Sequence, residues 1–242
     1  MTAIDLAVGF ASDELQEPAA LLATQLNLPL NNQVFPRLSL TAERLELVTD
    51  KFSPLFADFS SKVLQKRREE GKSQGVVRAC KPAKGMRIID ATAGWGRDAS
   101  ILASFGAQVL MLERSQVVSA LLADALARLE PDSTLAQSLS LRCVDSKQYL
   151  QNLAVEDYPD VIYIDPMHPV RQKSALVKKD MQILQQLLGA DQDAKELLIT
   201  ARSRVHKRVI VKWPQRLAPL LPPNSSIDGK TVRFDIYLPV VP

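Results

Sequence analysis

Ile88-Ile89-Asp90-Ala91-Thr92-Ala93-Gly94-Trp95-Gly96-Arg97-Asp98 joins the apolar run 86–89 to a helical pattern over 99–105. That order reads as strand, glycine turn, helix. Gly94 and Gly96 let the backbone approach a ligand with no Cβ in the way, and the helix start turns unpaired N–H groups toward it. A nucleotide-like cofactor is the expected occupant. Seventeen residues past Gly96 the next apolar run, 108–112, ends in Glu113. A doubly wound sheet places a carboxylate there to accept hydrogen bonds from two ribose hydroxyls.

Gly94-x-Gly96-x-x-Ala99 also satisfies the loose dinucleotide pattern, so the glycines alone leave a nicotinamide-dependent oxidoreductase open. Asp165-Pro166-Met167-His168-Pro169, directly after Val161-Ile162-Tyr163-Ile164, favours an amino-group methyltransferase. The lone pair of an exocyclic base amine is delocalised into the ring, which makes it a poor nucleophile. An Asp165 carboxylate and a Pro166 carbonyl that both accept hydrogen bonds from the NH₂ would hold the nitrogen toward a methyl donor and release that pair. Position 168 follows where a planar side chain stacks on the base.

These segments, with Met111-Leu112-Glu113-Arg114, Gln172-Lys173-Ser174-Ala175-Leu176-Val177-Lys178-Lys179 and Val211-Lys212-x-Pro214, resemble the RsmJ family. Its members are bacterial small-subunit ribosomal RNA guanine-N2 methyltransferases. The resemblance runs from about Phe56 to Tyr237, and the five blocks agree in order and approximate spacing. It implies S-adenosyl-L-methionine as cofactor and 16S ribosomal RNA or the small ribosomal subunit as partner of a monomeric enzyme. Asp165, Pro166 and His168 are then the catalytic candidates. Asp90, Gly94, Gly96, Arg97, Asp98, Glu113, Arg114, Asp145, Ser146 and Asp165 are the cofactor candidates, and Arg171, Lys173, Lys178, Lys179 and Lys212 the RNA candidates. The family usually has Phe where this chain has His168, and its connection between Arg128 and Leu141 is longer. For Asp90 a turn or capping carboxylate is the plainer alternative, and for Asp145 a simple helix N-cap. Trp95 is expected to pack at the ligand's edge, Trp213 to be buried or to stack on RNA, and His206 to be structural or RNA-facing. Methylation of another base amine such as adenine N6, and RNA binding without catalysis, stay open beside the guanine reading.

A chain of 242 residues with 46% apolar side chains can bury a sizeable core. Cys80 and Cys143 have neither the number nor the spacing of a metal site or a disulfide framework, and Cys143 is expected in the core. No window reaches the about 18 continuous apolar residues of a membrane span. The first residues carry Asp5, Asp13, Glu14 and Glu17 rather than a basic and apolar leader, so a cytoplasmic enzyme is expected. The net charge of +3 hides an asymmetry. Residues 1–60 hold 3 basic and 8 acidic side chains, residues 61–87 hold 9 and 2, and residues 202–216 hold 6 and none. Such basic runs attract a phosphate backbone, although a solvated helix face is the plainer account of 62–72.

The pattern predicts a small α+β lobe over 1–60, with strand-like pieces at 38–40, 44–48 and 54–59 and a helix over 13–26. A basic helix over 60–70 ends at Gly71. Over 61–242 strands at 86–90, 108–113, 140–144, 161–165, 208–212 and 231–238 alternate with helices at 97–105, 116–129, 146–153, 177–188 and 191–204. Alternation of this kind argues a mostly parallel α/β sheet. The last strand follows a proline-rich turn at 221–224 instead of a helix and is expected to be antiparallel. The expected fold is the mostly parallel, seven-stranded, Rossmann-like class I methyltransferase arrangement.

Overall fold

A computed structural model describes residues 6–50, 52–167 and 193–240. These divide into two compact units. The first holds residues 6–50 and 52–58 with Gln116–Arg128, and the second Phe59–Ser115 with residues 129–167 and 193–240.

In the first unit β1 (Ala7–Phe10) runs into α1 (Gln16–Leu26) and returns as β2 (Arg37–Leu40), parallel to β1, with β3 (Leu45–Val48) antiparallel to β2. β1 is a four-residue segment that the sequence pattern does not mark. The expected strand over 54–59 reduces to one bridge between Leu47 and Leu55, since Pro54 has no N–H to extend the ladder. The expected helix over 13–26 starts as a 3₁₀ turn at Asp13–Leu15. Helix α5 (Gln116–Ala127) completes this unit.

The second unit begins with α2 (Lys62–Glu70), where the Ser61 hydroxyl accepts the Leu64 N–H and Gly71 ends the helix at φ +54°. A further helix, α3 (Gly75–Cys80), follows. The seven strands are β4 (Arg87–Asp90), β5 (Gln108–Glu113), β6 (Leu139–Cys143), β7 (Val161–Ile164), β8 (Arg208–Pro214), β9 (Ser225–Asp228) and β10 (Val232–Tyr237). Their order is β6-β5-β4-β7-β8-β10-β9. The first five are mutually parallel, and β10 runs antiparallel to both β8 and β9. β9, which the sequence pattern does not locate, is a polar edge strand, Ser-Ser-Ile-Asp. The helices are α4 (Arg97–Ala103), α6 (Thr134–Ser138), α7 (Ser146–Gln151) and α8 (Ala194–Arg202). The helix expected over 177–188 lies outside the described residues.

The period of two along each strand sorts side chains onto two faces. One face carries Ile89, Leu112, Ile162, Ile164, Val209, Val211 and Tyr237, buried with Leu150 of α7 and Leu197, Leu198 and Ala201 of α8. Asp90, Tyr163 and Lys212, one residue out of phase with that set, fall on the other face. Asp90 pairs in register with Tyr163, and Tyr163 with Ile210. Cys143 is exposed rather than core, because β6 is an edge strand with its last two residues in solvent.

α3 packs on β10 where Gly75 meets Phe234, and a Cβ at Gly75 would collide with that buried ring. Gly75→Ala is therefore expected to destabilise the fold by about 1–3 kcal/mol through overpacking. The loss should shrink in a Phe234→Leu background, which opens the space, because substitutions at touching side chains are not additive. Denaturant unfolding of the single and double variants measures both.

Candidate active site

All strands from β4 to β8 end at one edge, and the strand order reverses between β4 and β7, which opens a crevice there. Asp90 ends β4, Glu113 ends β5, Asp145 follows β6 and Asp165 follows β7, so four carboxylates share this edge.

The glycine turn is held by backbone pairing. Ala91 N–H reaches Tyr163 O at 2.9 Å, Ala93 N–H reaches Leu112 O at 3.1 Å, and Gly96 N–H reaches Ala93 O at 2.8 Å. Gly94 and Gly96 sit at φ +52° and +66°, where any other residue is strained. A Cβ at Gly94 would meet only Thr92 O at 3.9 Å, so backbone conformation rather than space calls for glycine. Glu113 is buried and braces the turn: Oε2 accepts the Gly94 N–H at 3.1 Å and Oε1 the Ser115 N–H at 2.8 Å. The Trp95 indole is 7% exposed, and its buried Nε1–H has no partner among the described residues. An unsatisfied donor inside the turn fits a ligand that brings an acceptor.

Asp145 caps α7 by accepting the Gln148 N–H at 2.9 Å, as the plainer reading of it has it. Ser146 donates its hydroxyl to Ala91 O at 2.6 Å and so ties α7 to the turn. Arg114 lies 3.4 Å from Asp193. Arg97 opens α4 and is half-buried. Pro166 is buried beside the half-buried Asp165. His168, Arg171, Lys173, Lys178 and Lys179 lie outside the described residues.

Asp98 and Asp165 share an ion-pair network. Asp98 Oδ1 accepts from Arg67 Nη2 at 2.7 Å, and Oδ2 accepts from the Tyr163 hydroxyl at 2.7 Å and from Lys212 Nζ at 3.1 Å. Lys212 Nζ also donates to Asp165 Oδ2 at 2.6 Å, and the Asp165 N–H reaches the Thr92 hydroxyl at 2.6 Å. Burial pushes the Asp98 carboxyl up, but Lys212 and Arg67 outweigh it and hold Asp98 well below the usual carboxylate range. Burial likewise works against the Lys212 ammonium, and Asp165 and Asp98 more than restore it. Desolvation, then Asp98, raise the Tyr163 phenol well above its ordinary value. Asp90 makes no ion pair among the described residues. Desolvation carries its carboxyl up to about 8, the Thr92 N–H lowers it, Asp98 and Asp165 raise it, and Lys212 lowers it.

Arg67 and Tyr163 were not legible as site residues. One lies in a basic run that reads as a solvated helix, the other in a strand that reads as plain core. The basic segments are also less open than their composition suggests. Arg68 bonds Phe59 O, Arg87 bonds Glu156 O and Tyr158 O, Arg204 bonds Leu150 O and the Tyr158 hydroxyl, and Lys207 pairs with Asp160 at 2.9 Å. Trp213 is half-buried, with Nε1–H on Ala218 O at 2.8 Å. His206 is exposed beside the Tyr158 ring. Among the described residues no group of three or more His, Cys, Asp or Glu is placed to hold a metal ion, and no helix is long and apolar enough to cross a membrane.

Residues 21–239 match a family described as "Putative SAM-dependent methyltransferase". The Ribosomal RNA small subunit methyltransferase J of Legionella pneumophila (strain Corby) is 59% identical over 233 residues, covering 96% of each chain. Its namesake in Thioalkalivibrio sulfidiphilus (strain HL-EbGR7) is 41% identical over 248 residues, covering 96% of this chain and 97% of its own. A crystal structure of a SAM-dependent methyltransferase from Neisseria gonorrhoeae superimposes with a TM-score of 0.73 at 29% identity, covering 96% of this chain and 95% of that one.

Asp90 gives a sign-definite test in the ligand-free protein. Its folded pKa, about 8, lies above the ordinary 3.8. Between those values the unfolded chain releases a proton that the folded carboxyl keeps, so stability falls as pH rises through the window. Asp90→Asn keeps an acceptor for the Thr92 N–H and removes the titration. The variant is expected to match wild type near pH 4 and to exceed it above pH 8 by on the order of 2–4 kcal/mol, discounted from full linkage for relaxation and water entry. Thermal melts at the two pH values check this, and a constant gap would contradict it.

Proposed function

The chain belongs to the ribosomal RNA small subunit methyltransferase J family of SAM-dependent methyltransferases, and from that premise we propose that it methylates the exocyclic N2 amine of one guanosine in 16S ribosomal RNA, with S-adenosyl-L-methionine as methyl donor. Family membership sets aside the nicotinamide-dependent alternative that the glycine spacing left open. The proposed setting is the cytoplasm, and the proposed enzyme is a monomer.

The observation that carries the reading is Asp165, a half-buried carboxylate at the end of β7, whose own N–H is tied to Thr92 in the glycine turn. An amine acceptor thus stands beside the cofactor turn. Asp165 and the Pro166 carbonyl accept the two amine hydrogens and fix the nitrogen. Glu113 would accept from the ribose diol, Gly94 and Gly96 would give the backbone its close approach, and Asp90 would face the amino group of the methionine part. The Trp95 indole supplies a donor to an acceptor of the same ligand. Asp145 and Ser146 wall the far end of the crevice. When bound, the cofactor would supply an electrophilic sulfonium methyl with a neutral thioether as leaving group, and Asp165 and the Pro166 carbonyl would hold the amine nitrogen in line with it. The methylated amine then sheds its extra proton to water. Holding the reactants in line accounts for most of the acceleration.

Incubation with labelled S-adenosylmethionine and small-subunit RNA from a strain lacking the gene tests the reading. Digestion to nucleosides is expected to place the label in N2-methylguanosine. Label in N6-methyladenosine would assign another amine, and no label would leave an RNA-binding protein without catalysis. Asp165→Ala should lower single-turnover transfer at least about 100-fold through lost positioning, and near-normal rates would refute the acceptor role. For the cofactor, Glu113→Gln should weaken S-adenosylhomocysteine binding by about 1.5–3 kcal/mol, the worth of a charge-assisted hydrogen bond. Calorimetry reads it, and an unchanged Kd would remove Glu113 from the ribose.

A further inference from the structure

Lys212 was expected to face RNA, yet its ammonium points inward, with 27% of the side chain exposed. Nζ donates to Asp165 at 2.6 Å and to Asp98 at 3.1 Å, which uses two of its three N–H bonds. One N–H is left over, but the charge already faces two carboxylates rather than an RNA backbone. We propose that Lys212 is a positioning residue for methyl transfer: anchored on Asp98, it pins one oxygen of Asp165 and so fixes the plane in which that carboxylate meets the amine.

A carboxylate beyond a strand end can turn about two torsions, and an amine held in one direction needs an acceptor held in one direction. Misplacement by about 1 Å can cost on the order of 100-fold in rate. Asp98 cannot follow Lys212 outward, because Arg67 from α2 holds one of its oxygens and Tyr163 from β7 the other. The anchor is fixed from two further elements. Charge works in the same direction. Lys212 stands between Asp98 of α4 and Asp165 of β7, with Arg67 of α2, Tyr163 of β7 and Asp90 of β4 as the other titratable groups around it. Removing the ammonium leaves two carboxylates facing each other, and protons then bind them more readily.

This role rests on the RNA methyltransferase reading, and wild-type transfer is measured first so that the two can fail separately. Lys212→Met keeps the length of the stem and removes the charge, with Lys212→Gln as a second neutral variant should Met fold poorly. At saturating RNA the single-turnover rate is expected to fall about 10- to 100-fold, and the acid limb of its pH profile to move up by about one unit. RNA affinity, its salt dependence and the Kd of S-adenosylhomocysteine should stay within about twofold. Lys212→Arg should restore part of the rate, since a guanidinium can span both carboxylates. A normal saturated rate with weaker RNA binding and a salt slope smaller by about one would make Lys212 a phosphate contact and overturn the proposal. A rate loss with an unmoved acid limb and no recovery by Arg would make it merely structural. Crystal structures of the variants decide the matter even if wild type methylates no RNA. Asp165 is expected to leave its rotamer in Lys212→Met and to keep it in Lys212→Arg, and an unmoved Asp165 in the Met variant refutes the positioning role.

Discussion

The site depends on the cost of gathering like charges in a place that water barely reaches. Asp90 and Glu113 are buried, and the Asp98 side chain is 12% exposed. At an effective dielectric of about 20, two unit charges about 4 Å apart interact by about 4 kcal/mol, so a cluster of carboxylates needs a remedy for each member. Three remedies are used. Asp98 and Asp165 are paid for by cations, Lys212 for both and Arg67 for Asp98 alone. Asp90, beyond the direct reach of either cation, keeps a proton up to about pH 8. Glu113 takes a third course and spreads its charge over the backbone N–H groups of Gly94 and Ser115.

The three remedies leave the edge with graded chemistry. The Asp98–Lys212–Asp165 chain holds opposite charges in contact, which suits holding a substrate group in one orientation. Asp90 is a reservoir that would ionise when a cationic ligand group stands next to it, because that group supplies the stabilisation the protein withholds. Binding of such a group is then linked to release of a proton. Glu113 braces the turn before any ligand arrives, so the loop is shaped in advance and less ordering remains for binding to cover.

The frame of the site was legible because it follows from local signals. Asp90, Glu113 and Asp165 each close an apolar run, and the continuous apolar runs of β4, β7 and β8, set among helical patterns, were enough to mark strands whose ends coincide. The glycines announced the turn through the positive φ they alone adopt cheaply. The ion pairs were not legible. Lys212 meets Asp98 across 114 positions and Asp165 across 47, and Arg67 meets Asp98 across 31. No periodicity encodes such distances. A basic run also looks the same whether its members face water or fold inward, which is why Lys212 and Arg67 read as surface charge. β9 escaped for a different reason. An edge strand of Ser-Ser-Ile-Asp buries almost nothing, so it has no apolar alternation to show. Cys143 misled in the converse way, since an apolar run on an edge strand does not guarantee a buried face.

The antiparallel end of the sheet bears on the site as well. Lys212 lies two residues before the end of β8, and the position of its ammonium is only as good as that terminus. Arg233 on β10 fixes it: Nη1 donates to Pro214 O and to Gln215 O, both at 3.0 Å, while Nε is held by Asp235 Oδ1 at 2.8 Å. Asp235 is fully buried, and its Oδ2 and Arg233 Nη2 have no hydrogen-bond partner among the described residues. A buried pair with unsatisfied atoms is poor value as a source of stability, since desolvation can exceed the Coulombic gain. Its geometry is better explained by where it points. Arg233 Nη1 holds the carbonyl that ends β8 and the next one along the chain, where an apolar pair would leave both to fray, and so the strand that carries Lys212 ends in a fixed place.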